Sequence, residues 1–457
     1  MCYDAVLNSL KASKKPLRNL ERLRPYYLLR SIFRRLPLSP LAKQRLKAWV
    51  RRSVPSSILF PDPGWPPTLP YDGDFSREVR QRPAGSPISV LFLSHWLPAM
   101  DRASGALRTF TILQLLREQG CNVAFGADRE KSEHIWFFDS EEEISRYEAM
   151  LGGLGISVLY GSRDVIRHLR EQGHQYDFVL LSFPEVAYRY LPCARAFAIH
   201  AKVIYDPVDL TWVRMEREAA IKNDDALRKN SENYKQVERF NAAAADRVIA
   251  ITAEEKAQIL KDVPSANVEL IPNIHDCVDI PKPLTGRKGL FFIAHFFHTP
   301  NEDAVVYFVK EIFPLIRRQL PEIVFHIIGS NMTKTVKSLA RPGVFPRGYV
   351  PDPSPYFNSC RVFVAPLRYG AGMKGKIGQS MSFGLPVVTT SIGAEGMYLV
   401  DGKQALIADS PEAFAKAVVQ LYTDDMLWEK ISADSLAHVR THFSKAVVGE
   451  KLKQILA

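Results

Sequence analysis

Ala365-Pro-Leu-Arg-Tyr-Gly-Ala-Gly-Met-Lys-Gly-Lys-Ile-Gly-Gln-Ser-Met-Ser-Phe-Gly-Leu-Pro-Val-Val-Thr-Thr390 reads as a strand end, a glycine-rich loop, a short helix and the start of the next strand. The first strand spans Val362 to Pro366, the loop holds Gly370, Gly372, Lys374, Gly375 and Lys376, and the helix runs from about Lys376 to Phe383. Strands joined through a helix pair in parallel. Glycines let the backbone approach a ligand closely, and free amides at a helix start beside two lysines make an anion site suited to a diphosphate. The competing reading is a flexible surface loop with solvated lysines.

The same alternation fills the chain on both sides. Short apolar runs at Ile88 to Ser94, Asn122 to Gly126, Ile156 to Tyr160, Phe178 to Ser182, Val203 to Asp206 and Val248 to Thr252 are separated by helical patterns. It restarts at Leu290 to Ala294, Val324 to Gly329, Val362 to Pro366, Pro386 to Thr390 and Ala405 to Ala408. The fold class is therefore α/β, with two Rossmann-like domains facing a cleft. The spacing predicts a first domain over 88–275, a junction near 276–288, a second domain over 286–440, and a C-terminal helix at 441–457 packing back on the first. Ligands of such sheets bind at the carboxyl ends of the strands.

Residues 1–52 hold fourteen Lys/Arg against Asp4 and Glu21, a net of +12 in a chain of net +11, so the remainder carries −1. Residues 25–36 place Leu28, Leu29, Ile32, Phe33 and Leu36 on one helical face. Pro37 ends that helix, and Ser39-Pro40 starts a second with Leu41, Leu46, Trp49 and Val50. The reading is a basic helical arm over 1–54 and, from its eight prolines, a linker over 55–87. A basic arm on a neutral body suits a polyanionic surface, anionic lipid or RNA, met by the arm alone; the alternative is a solvated helical face. We carry forward the membrane surface and expect no nucleic-acid partner. Five scattered cysteines (Cys2, Cys121, Cys193, Cys277, Cys360) show no zinc spacing and fit a reducing cytoplasm. Neither a secretory signal nor a spanning helix is expected.

The quoted segment, continued through Ser391-Ile-Gly-Ala-Glu-Gly-Met397, resembles the donor-binding signature of the retaining GT-B glycosyltransferases called group 1 or family 4, of the bacterial polysaccharide or O-antigen type. The resemblance extends over about residues 88–457 and includes Pro300-Asn301-Glu302-Asp303-Ala304, Ile328-Gly329-Ser330, Gly348-Tyr349-Val350 and His442-Phe443-Ser444. It implies hexosyl or deoxyhexosyl transfer from a nucleotide diphosphate sugar to a glycan or lipid-linked acceptor, with retention and without a metal or other cofactor. It places the donor at Gly370, Gly372, Gly375, Gln379, Tyr349, Val350, Glu395 and Gly396, with Lys374 and Lys376 meeting the leaving diphosphate; His298, after the second domain's first strand, is a candidate for phosphate contact or else a structural histidine. Relatives often carry two glutamates eight positions apart on this loop and helix. Here those positions hold Ala371 and Gln379, and an amide offers one acceptor oxygen where a carboxylate offers two.

In the first domain, Ser94-His-Trp-Leu-Pro-Ala-Met-Asp-Arg-Ala-Ser-Gly-Ala-Leu-Arg108 resembles the family's first strand-to-helix loop. Asp101, Ser104 and Gly105 are cleft candidates, and Arg108 is placed to bind phosphate or an acidic acceptor; the alternative is that Asp101 or Ser104 caps the helix. Asp206, Asp209 and Arg214 follow another strand end. The two aspartates either orient acceptor hydroxyls, with Asp209 catalytic, or pair with Arg214 and Arg217. Glu185 is a distant candidate for a general base. The rival reading, drawn from the missing glutamates, is a non-catalytic partner subunit that binds nucleotide sugar or glycan. The expected location is the cytoplasm, peripheral on the inner membrane face.

Overall fold

The computed structural model describes residues 85–457, apart from 135–137, 139 and 297. The basic arm and nearly all of the proline-rich linker lie outside the described residues.

Two wholly parallel sheets carry the fold. The first contains β1 (Ser89–Ser94), β2 (Asn122–Ala127), β3 (Ser157–Tyr160), β4 (Phe178–Ser182), β5 (Lys202–Asp206), β6 (Arg247–Ala250) and β7 (Val268–Leu270), in the order β3-β2-β1-β4-β5-β6-β7. The second contains β8 (Leu290–Ile293), β9 (Phe325–Ile328), β10 (Val344–Gly348), β11 (Val362–Ala365), β12 (Val387–Thr389) and β13 (Leu406–Ile407), in the order β10-β9-β8-β11-β12-β13. Both follow the 3-2-1-4-5-6 order of dinucleotide-binding sheets, whose winding reverses beside the first strand and opens a crevice at the strand ends. The strands read as continuous apolar runs because helices cover both faces, leaving Leu91, Phe92, Phe291 and Phe292 with no exposed surface.

Among the described residues, two of the thirteen strands, β7 and β10, are additional to the eleven read from the sequence. Both are sheet edges. β10 contains Pro346, where its register with β9 is irregular, and an edge strand tolerates a proline that a central one does not.

The chain crosses between the domains twice, and the crossings pair. His275 donates its N–H to Phe443 O at 2.9 Å and forms a parallel bridge with Ser444. The helix Asp425–Phe443 ends there, so residues 441–443 belong to it, and a separate helix, Lys445–Leu456, follows. Val448, Leu452, Ile455 and Leu456 of that last helix enter the first domain's core beside Ile112 and Leu115, and Gln119 donates to Gly449 O at 2.7 Å. The apolar stripe at 448, 452 and 455 has helical period, and its burial holds the chain end on the first domain. Among the described residues no helix is long and apolar enough to cross a membrane.

Candidate functional site

The loop after β11 ends in the helix Gly375–Ser382, with Lys374 as its N-cap residue. Lys374 is 7% exposed, and its ammonium donates to Gly372 O at 2.7 Å and to Glu395 Oε2 at 3.4 Å. Burial lowers its pKa, and the Glu395 carboxylate offsets part of that. Lys376, half-buried, donates to the Asn301 side-chain oxygen and lies 5.0 Å from the Phe292 ring centroid. Among the described residues it has no carboxylate partner. Desolvation, with Lys374 adding repulsion, pushes its ammonium down to about 7. A cation held this way costs free energy in the empty protein, and an incoming anion recovers it.

His298 is exposed, yet the crowded cleft around it and the charges of Arg214 and Lys376 hold its pKa well below the ordinary value, so its imidazole is neutral. Arg214 belongs to the first domain, on the helix Thr211–Lys222, and its Nε donates to Asp209 Oδ2 at 3.1 Å. One turn on, Arg217 reaches across to the second domain: its guanidinium grips Glu395 with two bonds of 2.7 Å and donates to Gly370 O at 2.6 Å. Four cations from two domains, Arg214, Arg217, Lys374 and Lys376, thus meet at one strand end, where Asp209 pairs with Arg214 and Glu395 with both Arg217 and Lys374. Beneath Gly372 lies Glu255, buried and accepting the N–H of Leu210 at 3.1 Å; burial and the Asp209 charge raise it to about 8.

The donor-loop glycines were expected to admit a ligand. Several of them admit the first domain. A side chain on Gly375 would meet Ser104 Cβ at 2.6 Å, one on Gly372 would meet Ile251 at 2.6 Å, and one on Gly396 would meet Thr252 at 2.2 Å. Gly372 also has φ +62, which L residues rarely adopt. Tyr349 spans the cleft as well: its hydroxyl donates to Asp101 Oδ2 at 2.9 Å, and Arg102 stacks on its ring at 5.0 Å. Val350, partly buried, packs against the core cluster that contains Phe291, Phe357 and Phe363.

Three expectations change. Arg108 is not a phosphate ligand: it is 1% exposed, donates to Asp206 Oδ2 at 2.6 Å and Ile271 O at 3.0 Å, and has no face toward the cleft. Asp206, fully buried, is therefore that arginine's counter-ion and not an acceptor contact; it also takes the Ser182 hydroxyl at 3.3 Å and the Val208 N–H at 3.2 Å. Neither Asp101 nor Ser104 caps the helix Ser104–Glu118, whose N-cap is Ala103; Asp101 instead accepts from Arg146, Tyr147 and Tyr349. Ser104 stays at the domain contact, against Gly375, whereas Gly105 packs under Val208 within the first domain. Of the two aspartates only Asp209 pairs with Arg214, and Arg217 takes Glu395. Gln379 is partly exposed and makes no side-chain hydrogen bond among the described residues. Glu185 accepts from Tyr234 and lies 3.1 Å from His95 Nε2, at the ends of β4 and β1.

Sequence reasoning did not single out Asn301 or Glu255. Asn301 lies inside a quoted motif, and its partnership with a lysine 75 residues away has no local signal. Glu255 reads as an ordinary first-turn acid of the helix Ala253–Asp262. Among the described residues no three His, Cys, Asp or Glu side chains are grouped to hold a metal.

The family model of the group 1 glycosyl transferases matches residues 287–424, which contain the lysine loop. A curated relative, an uncharacterized 44.6 kDa protein in the cps region of Klebsiella pneumoniae, is 24% identical over 177 residues, 36% of this chain and 45% of that protein; the match spans less than half of the relative's length. Among solved structures, sucrose-phosphate synthase from Thermosynechococcus elongatus superposes with a TM-score of 0.61 at 13% identity, over 80% of this chain and 98% of that one. Anabaena HepE, crystallised with UDP and glucose, superposes at 0.60 and 13%, over 81% and 99%. Residues 287–424, in the second domain, match the group 1 glycosyl transferases, and the two domains together have the GT-B fold of these neighbours.

Proposed function

We propose that the enzyme transfers a hexosyl or deoxyhexosyl group from a nucleotide diphosphate to a glycan or lipid-linked acceptor with retention of configuration. The observation that carries this is Lys376, a half-buried ammonium with no carboxylate partner among the described residues, beside Lys374 at a helix start and sharing the surroundings of His298 with Arg214 of the first domain. In the reaction the bond from the anomeric carbon to the diphosphate oxygen breaks and a bond to the acceptor oxygen forms. The acceptor's proton passes to the departing phosphate. Negative charge grows on that phosphate, and fixed cations stabilise it most where it is greatest, in the transition state. The lysines supply the charge without a metal ion. Asp209 keeps Arg214 aimed at the cleft. The neutral His298 and the open amide of Gln379 face the donor, and Glu395 and Tyr349 complete the wall through their partners in the first domain.

A panel of nucleotide sugars incubated with the enzyme in EDTA, followed by mass spectrometry, tests the reading. Release of a nucleoside diphosphate from one donor, with the sugar passed to water or to an added glycan, is the expected result. No turnover of any donor refutes transfer, and turnover only with added magnesium or manganese refutes the lysine-only account.

We place the enzyme on the inner face of the membrane, held there by residues 1–52, because those residues carry the chain's entire positive excess. Each basic residue near an anionic surface contributes about 1 kcal/mol, so attachment is reversible and weakens with salt. The full chain is expected to sediment with anionic vesicles and a chain beginning at Ser86 is not. Equal sedimentation of the two removes the arm from membrane binding.

A further inference from the structure

Glu395 occupies an unusual place for a carboxylate. It follows the short helix Ser391–Ala394 after β12, and its two oxygens lie between the guanidinium of Arg217 and the ammonium of Lys374, the lysine assigned above to the donor diphosphate. The first domain supplies one cation and the second the other. Arg217 binds it in the two-pronged geometry that a guanidinium also offers to phosphate. Burial alone would raise the Glu395 pKa, but Arg217 and Lys374 outweigh it and hold the carboxylate ionised. Its bond to Lys374, at 3.4 Å, is the long one of the set, and its bonds to Arg217, at 2.7 Å, are the short ones. Lys376, two residues on at the same helix start, donates to an amide oxygen and has no carboxylate partner among the described residues.

We propose that Glu395 is a resident anion of the diphosphate site: its carboxylate satisfies Lys374 while the site is empty, a diphosphate takes that lysine over on binding, and Glu395 withdraws onto Arg217. This inference rests on the donor reading of Lys374 and deepens it, since it makes Glu395 a competitor of the donor's phosphates where the family resemblance makes it a donor ligand. No covalent bond changes. One ion pair is exchanged for another, and the exchange runs backward when the product nucleotide leaves, which shields Lys374 again and speeds release. Arg217 is a positioning residue: it gives the displaced carboxylate somewhere to go, and because it also holds Gly370 O, it keeps the first domain on the donor loop throughout.

The exchange has a consequence that a plain interdomain brace lacks. Breaking either half of a brace acts in the same direction. Here the two halves act in opposite directions, because Glu395→Gln removes the competitor, whereas Arg217→Gln strands it on Lys374. If Glu395 occupies the lysine in about nine of ten empty molecules, its removal tightens binding about tenfold.

The test is calorimetry of inorganic pyrophosphate and of UDP with the full-length protein, its Glu395→Gln and Arg217→Gln variants, and the double variant. The exchange predicts binding at least about threefold tighter for Glu395→Gln, weaker for Arg217→Gln, and tight again for the double variant. Weakening by both single substitutions makes the pair a brace and overturns the proposal. Unchanged pyrophosphate and UDP affinity in Glu395→Gln, with weaker binding of a nucleotide sugar, makes Glu395 a sugar ligand and overturns it as well. Binding of neither probe by any of the four proteins overturns the donor reading itself.

Discussion

Lys376→Ala is expected to lower kcat by about a hundredfold, the usual cost of losing one fixed donor to a developing oxyanion, and Lys374→Ala by more than tenfold. The effect falls on kcat because the contact strengthens as the glycosidic bond breaks; loss of equal binding to donor and transition state would appear in KM alone. A pH signature separates this from general damage. The Lys376 ammonium titrates near 7 in the empty site, and a bound diphosphate raises that pKa. Nucleotide affinity is then greatest below pH 7 and falls as the pH rises through the free enzyme's value, by up to about tenfold per unit, because binding must take up a proton. Lys376→Ala should flatten that slope. Titrations at several pH values check it, and a variant with full activity and an unchanged slope would place the diphosphate elsewhere.

The strand-loop-helix-strand segment was legible because its signals are local: an apolar run rich in valine, glycines, two lysines and a second run within the 29 residues 362–390. Both domains and eleven of the strands followed from the same grammar, since strands covered on both faces must be continuously apolar. β7 and β10 were not legible, because an edge strand has one neighbour and can be three residues long or contain Pro346. The site was legible only where it is local. Lys374, Lys376 and the glycines could be named, but the close approach of Ser104, Ile251 and Thr252 to Gly375, Gly372 and Gly396 belongs to the first domain's surface. Arg217 and Glu395 are 178 residues apart, and Tyr349 and Asp101 are 248 apart. Spacing carries no trace of such pairs. Arg108 shows the failure most plainly: an arginine one turn into a helix at a strand end has the sequence of an anion ligand, and the cavity it fills is visible only once β5 is laid beside β4.

That buried pair carries the second large effect. Arg108 and Asp206 have 1% and 0% of their side chains exposed, 2.6 Å apart, and the Arg108 guanidinium also holds Ile271 O. Two charges withdrawn from water are tolerable while each satisfies the other, but removing one leaves the other stranded at a cost of about 3–5 kcal/mol. Arg108→Met keeps much of the volume and leaves Asp206 without its cation, so it should unfold the first domain roughly 10 °C earlier, since about 1 kcal/mol moves a domain of this size by 2–4 °C. Arg108→Met with Asp206→Leu removes both charges and should recover part of that loss, because an apolar pair has no stranded ion. The pair also bears on catalysis through geometry. Asp206 takes the N–H of Val208, a β-branched residue at φ +69, and so pins the strained turn that carries Asp209 and Arg214 to the donor loop. Arg108→Met should therefore lose donor turnover at temperatures where the fold is still intact, while the last helix stays docked on the first domain. Thermal unfolding followed by circular dichroism, with turnover measured well below the transition, checks both parts. A melting temperature within about 2 °C of the parent's would show that water reaches the pair and that the β5 turn is held by other contacts.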